Sequence, residues 1–165
     1  MSQDVASGSG PTSRRHGCRV LLTRRERLLR PAWPPLKKVL QQVLRDHDVE
    51  GTLSVVLVTD SEIQGVHAEF LGEDRPTDVL SFPLLAPDDP PAERETVFGE
   101  VIVSTETAAR EAENRNLPAV REVALYAIHG TLHLVGFDDH SVVDRRRMRR
   151  AERQYLDLYR TLGGD

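Results

Sequence analysis

The sequence predicts one α+β domain, with about four strands in a mixed sheet packed with about five helices. Three observations carry that expectation. β-branched and apolar runs alternate with segments whose apolar residues recur at helical spacing. The length, 165 residues, is near that of one domain and allows most of the apolar surface to be buried. There is no internal repeat and no composition shift that reads as a linker between domains.

Arg19–Thr23 (RVLLT) is apolar enough for a first strand. Pro34 and Pro35 fit the first turn of a helix, where a missing N–H costs nothing. Leu36, Val39, Leu40, Val43 and Leu44 then repeat at helical spacing to about His47. Leu53–Thr59 (LSVVLVT) reads as a buried strand, and Thr59 with Glu62 forms a capping box for a short helix ending near Gly72. PTDVLSFP, 76–83, reads as a turn and a short strand whose prolines send it to a sheet edge. A proline-rich acidic loop, 86–97, precedes the strand FGEVIVS, 98–104, and a helix from Thr105 to about Asn114. Pro118 opens a helix carrying Val120, Val123, Ala124, Ala127, Ile128, Leu132 and Val135, with Gly136 as its C-terminal cap. A last helix, about 142–162, is rich in arginine on one side.

At 39% hydrophobic and 29% charged residues, the composition is that of a soluble globular chain. No apolar run approaches the roughly 20 residues of a membrane-crossing helix. The opening MSQDVASGSGPTSRR lacks the apolar segment of a secretory signal, and residues 1–17 are expected to be a disordered tail before a domain at 18–165. One cysteine, Cys18, permits no internal disulfide and fits a reducing compartment; beside a tail, it is expected to be incidental. The net charge of −4 hides a strong asymmetry. Residues 1–45 hold ten Lys/Arg against two acids, residues 46–113 three against seventeen, and residues 114–165 nine against seven. Six of those last nine lie between Arg145 and Arg153. Such a distribution suits phosphate binding at the basic ends but equally suits solvated helix faces.

The segment with chemical content is HGTLHLVGFDDH, 129–140. His129 and His133, four apart on a helix, project from one face with Cβ atoms about 5–6 Å apart, near enough to share one ion. Gly136 ends the helix and lets the chain reverse, which brings His140 forward as a third ligand. Three protein ligands leave a fourth position open, the arrangement of a catalytic zinc site and not a structural one. His16, His47 and His67 have no matching partner and are expected to be ordinary, on the tail or on helix surfaces. In the zinc-protease helix a glutamate follows the first histidine as general base; here that residue is Gly130, which argues against a peptidase.

HGTLHLVGFDDH, preceded by RPTDVLSFP (75–83) and FGEVIVS (98–104), resembles the YbeY family of bacterial rRNA maturation endoribonucleases in the order and spacing of its blocks, across roughly 50–160. The resemblance implies one α+β domain, one Zn2+ held by three histidines, cleavage of single-stranded RNA, a role in 16S rRNA maturation and ribosome quality control, and a cytoplasmic location. Small ribosomal subunit proteins and an assembly GTPase are implied as partners. The first two family ligands fall on His129 and His133. The family then reads glycine, aromatic, aspartate, histidine, where this chain reads Gly136, Phe137, Asp138, Asp139, His140. Strict register gives Asp139, while a loop that absorbs one residue gives His140, the expected ligand. A second departure is Leu71, where the family often has an arginine; Arg75 is the nearby substitute. Asp78 and Ser81 either shape the cleft wall or serve as turn cap and strand residue.

The expected chemistry is metal-assisted cleavage of an RNA phosphodiester. Asp139 is the candidate catalytic residue, as proton acceptor or as orienter of a histidine, and the arginines from Arg145 to Arg153 hold the phosphate backbone. Two rivals stand beside it. One is a ribosome-assembly binding factor with little catalysis, favoured by Leu71; the other is a metal-dependent hydrolase of another substrate, such as a peptide, opposed by Gly130.

Overall fold

The computed structural model describes residues 17–86 and 88–165, so the expected tail lies outside the described residues but for Gly17. The chain runs β1 (Cys18–Arg24), α1 (Trp33–Asp46), β2 (Gly51–Val58), α2 (Asp60–Leu71), β3 (Val79–Pro83), β4 (Val97–Ser104), α3 (Thr105–Arg115), α4 (Ala119–Leu134) and α5 (Val142–Thr161). The sheet order is β1-β2-β4-β3. β1, β2 and β4 are parallel, and β3 pairs antiparallel with β4 at the edge, so the sheet is mixed. Pro83 closes β3 at that edge, where a residue without an N–H costs no ladder bond.

The helix signals act locally as expected. Pro34 and Pro35 occupy the first turn of α1. Thr59 Oγ1 accepts from the Glu62 N–H at 3.3 Å while the Glu62 carboxylate accepts from the Thr59 N–H at 3.0 Å, and Gly72 caps the far end of α2 in the left-handed region. α4 ends one residue before the expected cap: Val135 is the C-cap and Gly136, at φ +101°, follows it. There the Gly136 N–H donates to the His133 carbonyl and the Phe137 N–H to the Leu132 carbonyl, a Schellman turn that sends the chain back across the end of α4.

One face of the sheet carries the main core. Leu53, Val55, Leu57, Val101 and Val103 pack there against the apolar face of α1 and against α4 and α5. α2 covers part of the opposite face with a smaller cluster of Val58, Ile63, Leu80 and Ile102. α4 therefore lies inside the helical layer, touching β3, β4, α1, α3 and α5, which fixes the direction of its polar edge. The Tyr155 hydroxyl donates to Asp46 at 2.9 Å, tying α5 to the end of α1. His67 departs from the surface position expected of it. It is 5% exposed, and its Nδ1–H donates to the Arg75 carbonyl at 2.9 Å, clamping the loop before β3 onto α2. No helix among the described residues is long and apolar enough to cross a membrane.

Candidate metal centre

His129 and His133 lie in the C-terminal half of α4, and their Nε2 atoms are 3.0 Å apart. Each ring is held from behind. His129 Nδ1 meets the Glu152 carboxylate at 2.7 Å, and His133 Nδ1 meets the Phe137 carbonyl at 3.0 Å. Both of those partners only accept, so Nδ1 carries the proton in each ring, and in the neutral rings both Nε2 atoms are bare lone pairs. Two lone pairs facing each other at this distance repel unless a proton or a metal ion stands between them. Two nitrogens at ~2.0–2.1 Å from one ion, with a tetrahedral angle, are about 3.3 Å apart, close to the separation found. The donor set therefore fits a metal ion. The field favours positive charge as well. Burial works against a charged His129 ring, but the hydrogen bond and charge of Glu152, helped by Asp139 and Asp78, outweigh it and hold the pKa above the usual histidine value.

Asp139 is the third member of this group: the ligand atoms of His129, His133 and Asp139 all lie within 4.8 Å of one another. Asp139 Oδ2 stands 3.8 Å from His133 Nε2. His140, the ligand expected after the turn, is not brought to the pair. Its side chain is 88% exposed and rests 3.3 Å from Asp138. The turn explains the difference. Asp138 Oδ1 accepts from the N–H groups of both Asp139 and His140, and Arg145 Nη1 donates to the carbonyls of both. The short loop is pinned on both sides, so the extra residue is not absorbed and the position in strict register faces the histidines.

Glu152 and the Phe137 carbonyl are the parts that sequence reasoning missed. These two groups, and not Asp139, hold the Nδ1 atoms of the histidines. The one available signal for Glu152 is that it alone is acidic between Arg145 and Leu156, within a run of arginines.

Gly130 leaves no room for the glutamate that follows the first histidine in the zinc-protease helix. A Cβ there would meet Ser81 Oγ and Val101 Cγ1 at 2.7 Å and Val79 Cγ2 at 3.1 Å, so no side chain fits between α4 and the sheet. Ser81 Oγ donates to the Gly130 carbonyl at 3.1 Å, which makes Ser81 a strand residue that ties β3 to the helix. Gly130→Ala should therefore destabilise the fold. Overpacking costs about 1–3 kcal/mol, more than the roughly 0.5–1 kcal/mol that alanine recovers over glycine inside a helix. Urea denaturation measures this, and an unchanged midpoint would mean that the strand side chains yield freely.

Beside His129 opens a cavity of about 500 Å3, walled by Pro76, Thr77 and Asp78, by Thr107, Arg110, Glu111 and Arg115 of α3, by Leu125 and Tyr126, and by Glu152. Asp78 both lines this cavity and caps its own turn, accepting from the Val79 N–H at 2.8 Å. Leu71 is 57% exposed at the end of α2, and Arg75, the substitute considered for the missing arginine, is paired with Glu73 at 2.5 Å. Cys18 is a free thiol on β1, its Sγ 3.6 Å from the Gln41 carbonyl.

Comparison with known proteins places this chain in a family. Residues 30–160 match the family model described as Endoribonuclease YbeY. The chain is 38% identical over 125 residues to the Endoribonuclease YbeY of Pelotomaculum thermopropionicum, covering 73% of this chain and 82% of that protein. It is 36% identical over 125 residues to that of Syntrophotalea carbinolica, covering 75% and 82%. With that of Deinococcus radiodurans it shares 49% identity over 89 residues, 54% of this chain and 56% of that one. Among solved structures, TM1509 from Thermotoga maritima superposes with a TM-score of 0.61 at 26% identity, covering 85% of this chain and 88% of that one.

Proposed function

This chain belongs to the YbeY endoribonuclease family, and from that premise we propose that it is a cytoplasmic zinc-dependent endoribonuclease that cleaves single-stranded RNA in 16S rRNA maturation and ribosome quality control. The observation that carries the reading is the pair of Nε2 atoms 3.0 Å apart, each with its Nδ1 held by an acceptor. His129 and His133 hold the ion, and Asp139 is the third donor; imidazole and carboxylate are both accepted by zinc. When bound, such an ion supplies Lewis acidity toward a phosphoryl oxygen and lowers the pKa of water.

The chain's own residues do the rest. Glu152 and the Phe137 carbonyl fix the two rings so that the nitrogens aimed at the ion stay unprotonated. Arg145 and Asp138 hold the 138–140 loop so that the Asp139 carboxylate stays near His133. The cavity walled by the 76–78 turn and α3 is large enough for a splayed nucleotide, and an unpaired strand can present its phosphodiester to a recessed site where a stiff duplex cannot. Partners of the small ribosomal subunit and an assembly GTPase follow from the family alone.

The decisive measurement is metal content together with cleavage of an unstructured RNA. Asp139→Ala should purify with its metal depleted and cut slowly, while His140→Ala should keep both. The opposite pattern would restore His140 as the third ligand. An enzyme that cuts equally well in chelator would remove the metal from the reading altogether.

A further inference from the structure

The two arginines that wall the cavity beside His129 are already matched. Arg110 pairs with Asp60 at 2.5 Å, and Arg115 pairs with Glu111 at 3.3 Å and with the buried Glu122 at 3.2 Å. The unmatched cations near the site are on α5. Arg146, Arg147, Arg149, Arg150 and Arg153 are exposed, and among the described residues none has an ion-pair partner.

They do not share one direction. A helix turns once in 3.6 residues, so positions four apart form a ridge. Two contacts orient α5 against the metal centre: Arg145 reaches the carbonyls of the 139–140 loop, and Glu152 reaches His129. Arg149 stands four residues after Arg145 and three before Glu152, hence on the ridge between those contacts. Arg153 extends the same row by one turn. Arg146 and Arg150 form a second row turned farther from the site. Arg147 is on the other flank, where it lines a cavity of about 240 Å3 with His47, Asp144 and the outer side of the 135–138 turn.

We infer that the ridge Arg145, Arg149, Arg153 is a phosphate rail that leads the backbone of a single-stranded RNA past His129 and His133. The row places cations ~6 Å apart along the helix axis, close to the step from one phosphate to the next along an extended strand. It is continuous with the metal centre through Arg145 and Glu152. The segment 46–113, by contrast, is poor for a polyanion, with seventeen acids against three bases. The rail rests on the nuclease reading and refines it, naming which three of six arginines meet substrate.

The test is the salt dependence of RNA binding, read from the anisotropy of a short labelled unstructured RNA whose length is checked on a gel after each titration. Each phosphate contact contributes ~0.7 to the slope of log affinity against log salt for a single strand. Arg149→Gln and Arg153→Gln should each lower the slope by ~0.7, and the double variant by ~1.4. Arg147→Gln, on the far flank, should leave slope and affinity unchanged. Equal small losses in all three variants would mean a diffuse field and overturn the rail. So would unchanged slopes with RNA still cut, which would leave this face to another partner such as an acidic protein. A wild-type chain that neither binds nor cuts RNA would instead overturn the nuclease reading, and the rail with it.

Discussion

His133→Ala should lose the bound metal and reduce RNA cleavage by about three orders of magnitude, because Lewis-acid stabilisation by one ion is worth several kcal/mol and each ~1.4 kcal/mol is a factor of ten in rate. The geometry makes the loss steep. Removing one imidazole leaves His129 Nε2 facing solvent and Asp139 without its neighbour, so the remaining donors no longer converge. The fold should survive the change. His133 is part-exposed, and the Phe137 carbonyl it leaves behind lies in a turn already held by the Phe137 N–H bond to Leu132. Metal analysis, an unfolding curve and a cleavage assay on one preparation separate these effects. A variant that keeps stoichiometric metal would refute the proposed centre. Equal cutting by variant and wild type would instead reveal a contaminating nuclease.

The parts of this molecule that were legible in its sequence are those set by local chemistry. Capping by Thr59 and Glu62, the prolines at the start of α1 and the glycine after α4 each act within a few residues, and the elements begin and end near them. The histidine pair was legible for the same reason, since two side chains four apart on a helix share a face whatever surrounds them. His140 was not, because one residue in a turn decides which side chain points inward, and that depends on Asp138 and Arg145 gripping the backbone. Glu152 was less legible still. Its approach to His129 needs the register of α5 on the helical layer, which Met148, Ala151, Tyr155 and Tyr159 set by burying one face of that helix. Likewise His67 is buried only because the loop before β3 folds back on α2 and offers the Arg75 carbonyl.

That tertiary register gives the second large effect. Glu152→Ala should weaken metal binding by roughly 10–100-fold, the usual loss when the partner behind a ligating histidine is removed. Two things are lost together. The proton of His129 is no longer held at Nδ1, so the tautomer with the proton on Nε2, which cannot bind a cation, becomes populated. The negative charge that favours a cation at this ring also disappears. Glu152→Gln keeps an oxygen that can accept from Nδ1 but not the charge, so it should recover part of the affinity. Competition against a chelating dye measures all three proteins without reference to activity. Unfolding curves of the metal-free forms check that each variant is folded, since Glu152 is only 18% exposed and its removal also cuts the tie between α4 and α5. If the alanine variant holds its ion as tightly as the wild type, Glu152 does not position His129. The contact across 23 residues of sequence would then be only a tie between α4 and α5.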